Sequence, residues 1–257
     1  MKNLKYFLTL SILILSSHAL FAQMILEKSF EEQRNMSNTN FGDVVASAGD
    51  VNGDGYSDII VGDYGYYGGH NIGSAYLYFG GPSMDYVADL TFRGEQTDNE
   101  FGESVASAGD VNGDGFDDVI IGAPVAGDDG KAYIYFGGTN MDTVADVVIY
   151  GHYSDVEYEN GFFAISVASA GDINGDGYDD VLIGSPDYEN DNINPDYFGG
   201  VHLYYGGRNM DATRDLLFYG KVYDDKFGRS VASAGDINND GYSDIIVGAY
   251  NVGKAYV

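Results

Sequence analysis

Acidic and amide side chains stand at alternate positions of a short, glycine-containing segment that occurs four times in the sequence. Counted from its first Asp, each copy has side-chain oxygens at positions 1, 3, 5 and 9, and the backbone carbonyl of position 7 adds another. Hard oxygen donors in this number suit Ca²⁺, and Gly at position 6 permits the sharp turn. The sequence therefore predicts four calcium sites. The predicted ligands are Asp50, Asn52, Asp54, Tyr56 and Asp58; Asp110, Asn112, Asp114, Phe116 and Asp118; Asp172, Asn174, Asp176, Tyr178 and Asp180; and Asp236, Asn238, Asp240, Tyr242 and Asp244.

The same segment has an alternative interpretation as a set of turns in which Asp side chains cap backbone groups. Such turns explain one or two Asp residues in a loop. They do not explain three carboxylates in each of four loops, because carboxylates held together without a cation repel one another. An EF-hand is excluded, since its twelfth position is a bidentate Glu. Position 12 here is Val61, Ile121, Ile183 or Val247, each within an apolar segment.

The elements that position these loops belong to a repeat of roughly 60 residues, whose copies start at about 41, 101, 163 and 227. The second copy contains four segments typical of strands: Ser104–Gly109, Val119–Ile121, Lys131–Phe136 and Val144–Tyr150. The first is built from small residues, the second is continuously apolar and the third is rich in aromatic residues. Turn residues separate them, and no helical period intervenes.

Four strands in each repeat, with no helix, predict an all-β fold of the β-propeller class with four-stranded antiparallel blades. Small residues on the first strand suit the innermost position, where blades crowd together. The aromatic third strand suits the space between neighbouring blades. A β-sandwich is the alternative, but it gives no reason for a fixed repeat length. The metal loops and the turns Gly80–Asp85, Gly137–Asp142 and Gly206–Asp211 are expected on one face.

Three features of each copy resemble the FG-GAP repeats of the integrin α-subunit propeller. They are an initial Phe-Gly, as at Phe101–Gly102, the Asp-x-Asn-x-Asp-Gly-x-x-Asp loop, and Gly122-Ala123-Pro124 after the second strand. The resemblance covers Phe41 to Val257 and implies a propeller with Ca²⁺ in the hairpins between strands 1 and 2. Departures lie outside the ligand positions: Ala164 replaces the second Gly, and Gly-Ala-Pro becomes Gly62-Asp63-Tyr64, Gly184-Ser185-Pro186 and Gly248-Ala249-Tyr250.

The number of repeats leaves two interpretations open. The family usually has seven blades, whereas four repeats are visible here and the last is cut short at Val257. The chain is then either part of a seven-bladed propeller or a four-bladed propeller closed by strand exchange. Met24–Glu31 aligns with the fourth strand of the other units, so residues 23–40 are expected to be a leading outer strand and linker, followed by the repeats over 41–257.

The amino terminus and the charge balance predict the compartment. Residues 1–22 have Lys2 and Lys5, a short apolar run and small residues at the end, which is the pattern of a secretory signal peptide. No second apolar run follows, so no membrane insertion is expected after cleavage. With 12 Lys+Arg against 40 Asp+Glu the net charge is −28, which argues against nucleic acid or anionic membranes as partners. The absence of Cys excludes disulfides and zinc–thiolate sites.

The predicted function is that of a secreted protein, extracellular or at the cell surface, whose propeller binds a protein or glycan in adhesion. Calcium is expected to be structural, because a saturated oxygen cage leaves no open position for a substrate. No catalytic motif is present, and His70, His152 and His202 fall at unrelated repeat positions, so no enzyme is predicted. The alternative is the non-catalytic propeller of a larger, phospholipase D-like secreted hydrolase. Aromatic loop residues predicted for recognition are Tyr64, Tyr66, Tyr67, His70, Tyr153, Tyr158, Tyr188, Tyr197 and Tyr223.

Overall fold

Fifteen β-strands make up nearly all of the regular structure in a computed structural model that describes residues 40–65, 72–127, 129–151, 162–187 and 199–257. The predicted signal segment, the strand expected at Met24–Glu31 and most of the aromatic loop residues lie outside these ranges. Only Tyr64 and Tyr223 of that aromatic set are described. Among the described residues, no helix has the length and apolar character needed to cross a membrane.

The strands form four antiparallel sheets, and the strands of each sheet are neighbours in chain order. The first sheet contains β1 (Val45–Gly49), β2 (Asp58–Asp63), β3 (Ser74–Tyr78) and β4 (Leu90–Arg93), and the second contains β5 (Ser104–Gly109), β6 (Asp118–Ala123), β7 (Lys131–Tyr135) and β8 (Val147–Tyr150). The third contains β9 (Ser166–Gly171), β10 (Asp180–Ser185), β11 (Gly200–Tyr204) and β12 (Leu216–Tyr219), and the fourth contains β13 (Phe227–Gly235), β14 (Asp244–Ala249) and β15 (Lys254–Tyr256). The all-β, blade-like architecture predicted from the sequence is confirmed.

The innermost strand of each blade ends in an irregular register that turns the chain into the acidic loop. In the second blade Ser107 pairs with Val119, but Gly109 pairs with Asp118, so one residue bulges out of the ladder. The hydroxyl of Ser107 accepts the N–H group of Gly109 at 3.1 Å. Gly109 has a φ of 78°, which favours glycine. The Ser-Ala-Gly-Asp sequence therefore encodes a bulge that starts the loop.

Neighbouring blades pack through apolar side chains of their facing sheets. Leu77 and Phe92 of the first blade lie in one buried cluster with Val105 and Tyr135 of the second. The rings of Phe92 and Tyr135 have centroids 4.4 Å apart. Aromatic residues of the third strand therefore fill the space between blades, as predicted from their position in the repeat.

The fourth strand of the second blade is shorter than predicted. It begins at Val147, whereas the sequence suggested Val144. Asp142 accepts the N–H group of Val144 at 2.7 Å, and Asp146 accepts that of Phe136 at 2.7 Å. These side chains hold residues 142–146 in a turn, because Asp offers the backbone a local alternative to a strand ladder.

Candidate metal centre

The side chains at positions 1, 3 and 5 of each loop bind the backbone of that same loop. In the second copy Asp110 accepts the N–H group of Asp114 through Oδ1 at 3.1 Å and that of Gly115 through Oδ2 at 2.9 Å. Asn112 Oδ1 accepts the same N–H group of Asp114 at 2.8 Å. Asp114 Oδ1 in turn accepts the N–H group of Phe116 at 3.0 Å. Oxygens of three side chains therefore converge on one turn of backbone.

The other three loops repeat this arrangement. The Asp at position 1 accepts the N–H groups of positions 5 and 6 at 2.9 to 3.1 Å. These are the N–H groups of Asp54 and Gly55, of Asp176 and Gly177, and of Asp240 and Gly241. The fourth loop has Asn239 in place of Gly at position 4, with a φ of 60°. Because Asn tolerates the left-handed region better than most residues, the loop keeps its form.

In the first three loops the Asp at position 9 is buried and joins the loop to another turn of the same blade. Asp118 accepts the N–H group of Val111 through Oδ2 at 2.9 Å and that of Gly137 through Oδ1 at 2.7 Å. Asp58 and Asp180 make the corresponding pairs of bonds. The acidic loop and the Gly-Gly turn therefore lie at the same end of the blade, as predicted.

Electrostatic repulsion within a loop is visible in the buried carboxyl groups. Burial, together with the charges of Asp114 and Asp110, raises the pKa of Asp118 to about 7, although two backbone hydrogen bonds lower it. The same causes raise the pKa of Asp180 to about 6. The carboxylates at positions 1 and 5 are therefore close enough to disfavour ionisation of the Asp at position 9, which is the repulsion that a divalent cation relieves.

The donor chemistry of the loops fits calcium, although the carboxylates are not gathered around one point. In the described part of the chain, no three His, Cys, Asp or Glu side chains converge as a ready metal-ligand group. The carboxylates cap backbone N–H groups, as in the alternative interpretation of these loops. Each ionised carboxylate nevertheless has about four lone-pair sites, so it can accept a hydrogen bond and still coordinate a cation. In the second loop Asp110, Asn112, Asp114, Asp118 and the carbonyl of Phe116 would hold Ca²⁺.

The Asp at position 8 has a role that the sequence analysis missed. Asp117 Oδ2 accepts the N–H group of Asp50 at 2.7 Å, and Asp179 Oδ2 accepts that of Asp110 at 2.9 Å. Each bond joins a loop to the loop of the preceding blade. The signal in the sequence was that position 8 is Asp in the second and third copies but Ser57 and Ser243 in the others.

A buried Ser–His pair in the third blade is arranged unlike a catalytic dyad. Ser185 Oγ lies 2.7 Å from His202 Nε2, and Arg214 lies 3.1 Å from His202 Nδ1. A guanidinium only donates, so Nδ1 accepts and the proton of a neutral ring lies on Nε2. His202 then donates to Ser185 and is not placed to remove its proton.

Comparison with known proteins places these loops in a defined family. A model of the FG-GAP repeat matches residues 41–78, 101–135, 163–204 and 227–257, which together are more than half of the chain and contain all four acidic loops. The chain belongs to the FG-GAP repeat family. Its blades are therefore those of an integrin α-like propeller.

Several relatives of this FG-GAP chain are integrin α-subunits. Integrin alpha-5 of Xenopus laevis is 33% identical over 186 residues, covering 65% of this chain and 16% of its own length. Integrin alpha-V of Gallus gallus is 31% identical over 235 residues, covering 81% of this chain and 20% of its own length. Integrin alpha-8 of Mus musculus is 28% identical over 272 residues, covering 97% of this chain and 24% of its own length. The chain thus spans a quarter or less of the length of each of these relatives.

The FG-GAP signature has a steric basis at the contact between blades. A Cβ atom on Gly122 would overlap the carbonyl oxygen of Ala164, the second residue of the next Phe-Gly pair. A Cβ atom on Gly62 would likewise overlap the carbonyl oxygen of Gly102. The glycine of Gly-Ala-Pro is therefore required because the following blade brings its backbone against it. Ala164 itself has a φ of 68°, so this departure from Phe-Gly places a side chain in the left-handed region.

Proposed function

We propose that this chain is an extracellular, calcium-binding β-propeller that acts in adhesion by binding a protein or glycan. The observation that carries the proposal is the loop repeated four times, which places carboxyl groups at positions 1, 5 and 9 of each copy. In the second and third loops, burial and the charges at positions 1 and 5 raise the pKa of the Asp at position 9. Membership of the FG-GAP family and the integrin α relatives support the adhesion role. The relatives described above give no support to the hydrolase alternative.

Calcium in these loops would be structural, and the protein would have no catalytic activity of its own. Position 9 connects the acidic loop to the Gly-Gly turn, and the neighbouring position 8 connects it to the preceding blade. An ion bound by the loop would therefore stabilise both the blade and its contact with the preceding one. The Ser185–His202 pair, with its proton on Nε2, offers no base for a nucleophile.

Removal of calcium is expected to lower the melting temperature substantially. With a Kd of about 0.1 mM and Ca²⁺ at about 1 mM, each site contributes about 1.4 kcal/mol. Four sites then contribute about 6 kcal/mol, equivalent to a shift on the order of 10–20 °C for a domain of this size. Differential scanning calorimetry with calcium and with EDTA measures the shift. An unchanged melting temperature would exclude the calcium sites.

The matched variant replaces position 5 in all four loops, as Asp54→Asn, Asp114→Asn, Asp176→Asn and Asp240→Asn. Asn keeps an oxygen for the N–H group of position 7, which these side chains bind at 3.0 to 3.1 Å. It removes one negative charge from each loop. The variant is therefore expected to fold without calcium at least as stably as the wild type and to lose most of the calcium-induced shift. A full calcium response in this variant would assign the ion to other residues.

The recognition surface is proposed on the loops at the opposite end from the acidic loops. Tyr223, between β12 and β13, is 61% exposed. Tyr64 was predicted to take part in recognition, but its hydroxyl donates to Asp43 Oδ2 at 3.0 Å. We therefore assign it a supporting role in the scaffold. Exposed aromatic residues on loops over a rigid scaffold suit protein or glycan recognition.

Binding of the labelled protein to immobilised matrix proteins and glycans tests the adhesion role. Saturable binding that Tyr223→Ala weakens about tenfold or more is expected. Tyr86→Ala is the control, because Tyr86 is 47% exposed beside a Gly-Gly turn at the acidic end. If no matrix protein or glycan binds, or if both variants bind as the wild type does, the proposed surface is wrong.

A further inference from the structure

Three of the four acidic loops have Asn followed by Gly at positions 3 and 4, and the last loop has Asn followed by Asn. The four pairs are Asn52–Gly53, Asn112–Gly113, Asn174–Gly175 and Asn238–Asn239. In an Asn-Gly pair the backbone nitrogen reaches the Asn side chain easily, because Gly has no Cβ to obstruct it. Val or Ile precedes each pair and Asp follows it, so differences in reactivity among the three Asn-Gly pairs must come from the structure.

The reaction open to such a pair is deamidation, which needs water and no enzyme. The Gly nitrogen loses its proton and bonds to the side-chain carbon Cγ of the preceding Asn, and Nδ2 leaves as ammonia. Water then opens the resulting succinimide ring at either of its carbonyl carbons. The products are Asp or isoaspartate, in which the main chain runs through the side-chain carbons. The net change consumes a water and releases an ammonia, so an amide becomes a carboxylate.

The side-chain carbonyl of the Asn is activated in the same way in all three Asn-Gly loops. Asn52 Oδ1 accepts the N–H group of Asp54 at 2.8 Å, and Asn112 and Asn174 make the same bond at the same distance. This N–H group would stabilise the negative charge that develops on Oδ1 as the nitrogen attacks Cγ. The backbone is also alike, since the three glycines have φ values of 74°, 76° and 77°.

The attacking nitrogen is held differently in the first loop. The N–H group of Gly113 donates to Asp110 Oδ1 at 2.7 Å, and that of Gly175 donates to Asp172 Oδ1 at 2.6 Å. Loss of either proton would place a nitrogen anion against a carboxylate, which is unfavourable. The N–H group of Gly53 makes no hydrogen bond within the described part of the chain. The Asn amide is also held less closely there, because Nδ2 lies 3.3 Å from its acceptor, against 3.1 and 2.9 Å in the second and third loops.

We propose that Asn52 is a site of spontaneous deamidation and that it reacts before Asn112 and Asn174. Asn238 is expected to react most slowly, because the Cβ atom of Asn239 obstructs ring closure. The reaction does not depend on the proposed calcium binding, but its consequence does. Asp at position 3 would add a carboxylate to those at positions 1, 5 and 9, whereas isoaspartate would lengthen the main chain between the proposed ligands at positions 1 and 5.

Incubation of the purified protein with EDTA at mildly alkaline pH tests the proposal, at a temperature well below the melting temperature in EDTA. Mass spectrometry of proteolytic peptides follows the loss of each amide separately. Asn52 is expected to react about tenfold or more faster than Asn112 and Asn174, because those two sites must first give up a hydrogen bond to a charged group. In urea, where the chain is unfolded, the three rates are expected to converge, since their neighbours in sequence are nearly identical.

Asn239→Gly creates a new Asn-Gly pair in the fourth loop. Asn239 has a φ of 60°, which suits Gly, and its N–H group makes no hydrogen bond with the described residues. The variant is therefore expected to bring the rate at Asn238 close to that at Asn52. Asn239→Ala is the matched control, because it removes the same side-chain amide but keeps a Cβ atom, and calorimetry checks that both variants fold. No loss of amide at Asn52, a rate there no higher than at Asn112 and Asn174, or an unreactive Asn238 in Asn239→Gly overturns the proposal.

Discussion

Glu103 is a single residue whose ionisation can make the stability of the protein depend on pH. It lies at a cavity of about 400 Å³ to which all four blades contribute side chains, including Asp43, Tyr64 and Arg229. Burial, together with the neighbouring Glu100, raises the pKa of Glu103 to about 8, although Arg229 acts to lower it. A carboxyl group in this setting holds its proton in the folded protein at pH values where the unfolded chain has released it.

Replacement of the Glu103 carboxyl group by an amide is expected to remove part of the pH dependence of the free energy of unfolding. For a raised pKa, the folded state binds more protons than the unfolded state between about pH 4.5 and pH 8, so the free energy of unfolding falls as pH rises through this range. Glu103→Gln cannot ionise. The variant should therefore match the wild type near pH 5 and be more stable near pH 8, with urea denaturation at each pH as the measurement.

Glu95→Gln is the control for that comparison. Glu95 is half exposed and pairs with Lys131 at 2.7 Å, so its loss should slightly destabilise the protein at neutral pH, by less than about 1 kcal/mol. The two variants are thus expected to change stability in opposite directions near pH 8. Parallel stability curves for Glu103→Gln and the wild type from pH 5 to pH 8 would show that Glu103 ionises normally.

At the scale of the strand and loop, the sequence predicted the strand positions that residues of one repeat determine. It did not predict the hydrogen bonds that residues of two neighbouring repeats make with each other. Ser104–Gly109 was predicted with the observed bounds, because its small residues and its glycine bulge are local signals. The contact of Asp117 with Asp50 was not predicted, because it joins residues of different blades. The shortened β8 reflects competition between Asp side chains and the strand ladder, which residue periodicity does not reveal.

The contact between Phe-Gly and Gly-Ala-Pro gives a prediction for the interface between blades. Gly122→Ala should destabilise the protein by about 1–3 kcal/mol, because its Cβ would overlap the backbone carbonyl of Ala164, which cannot rotate away. Gly248→Ala is the matched change in the fourth blade. There the near contacts of the Cβ are with Ser230, chiefly its movable hydroxyl, so the loss should stay below about 1 kcal/mol. Chemical denaturation measures both, and equal losses would contradict the steric explanation of the motif.

At the scale of the whole molecule, the net charge of −28 opposes compaction, and two kinds of cation could relieve it. Monovalent salt screens exposed charges generally and shortens the Debye length from about 8 Å at 0.15 M to about 3 Å at 1 M. Calcium at about 1 mM adds almost no ionic strength, but four bound ions would add eight positive charges where carboxylates are closest. The two effects are therefore separable by concentration and by ion type.

Calcium is expected to raise the melting temperature at about 1 mM far more than magnesium does at the same concentration. Magnesium demands a near-ideal octahedral arrangement and gives up its water reluctantly, whereas calcium accepts irregular sets of six to eight oxygens. Sodium chloride should act only toward molar concentration, and it should act on the variant with Asn at position 5 of all four loops as well as on the wild type. Thermal unfolding in each salt makes the comparison. Equal shifts with calcium and magnesium would mean that the acidic loops gain only general charge screening, and that their side chains act as turn caps alone.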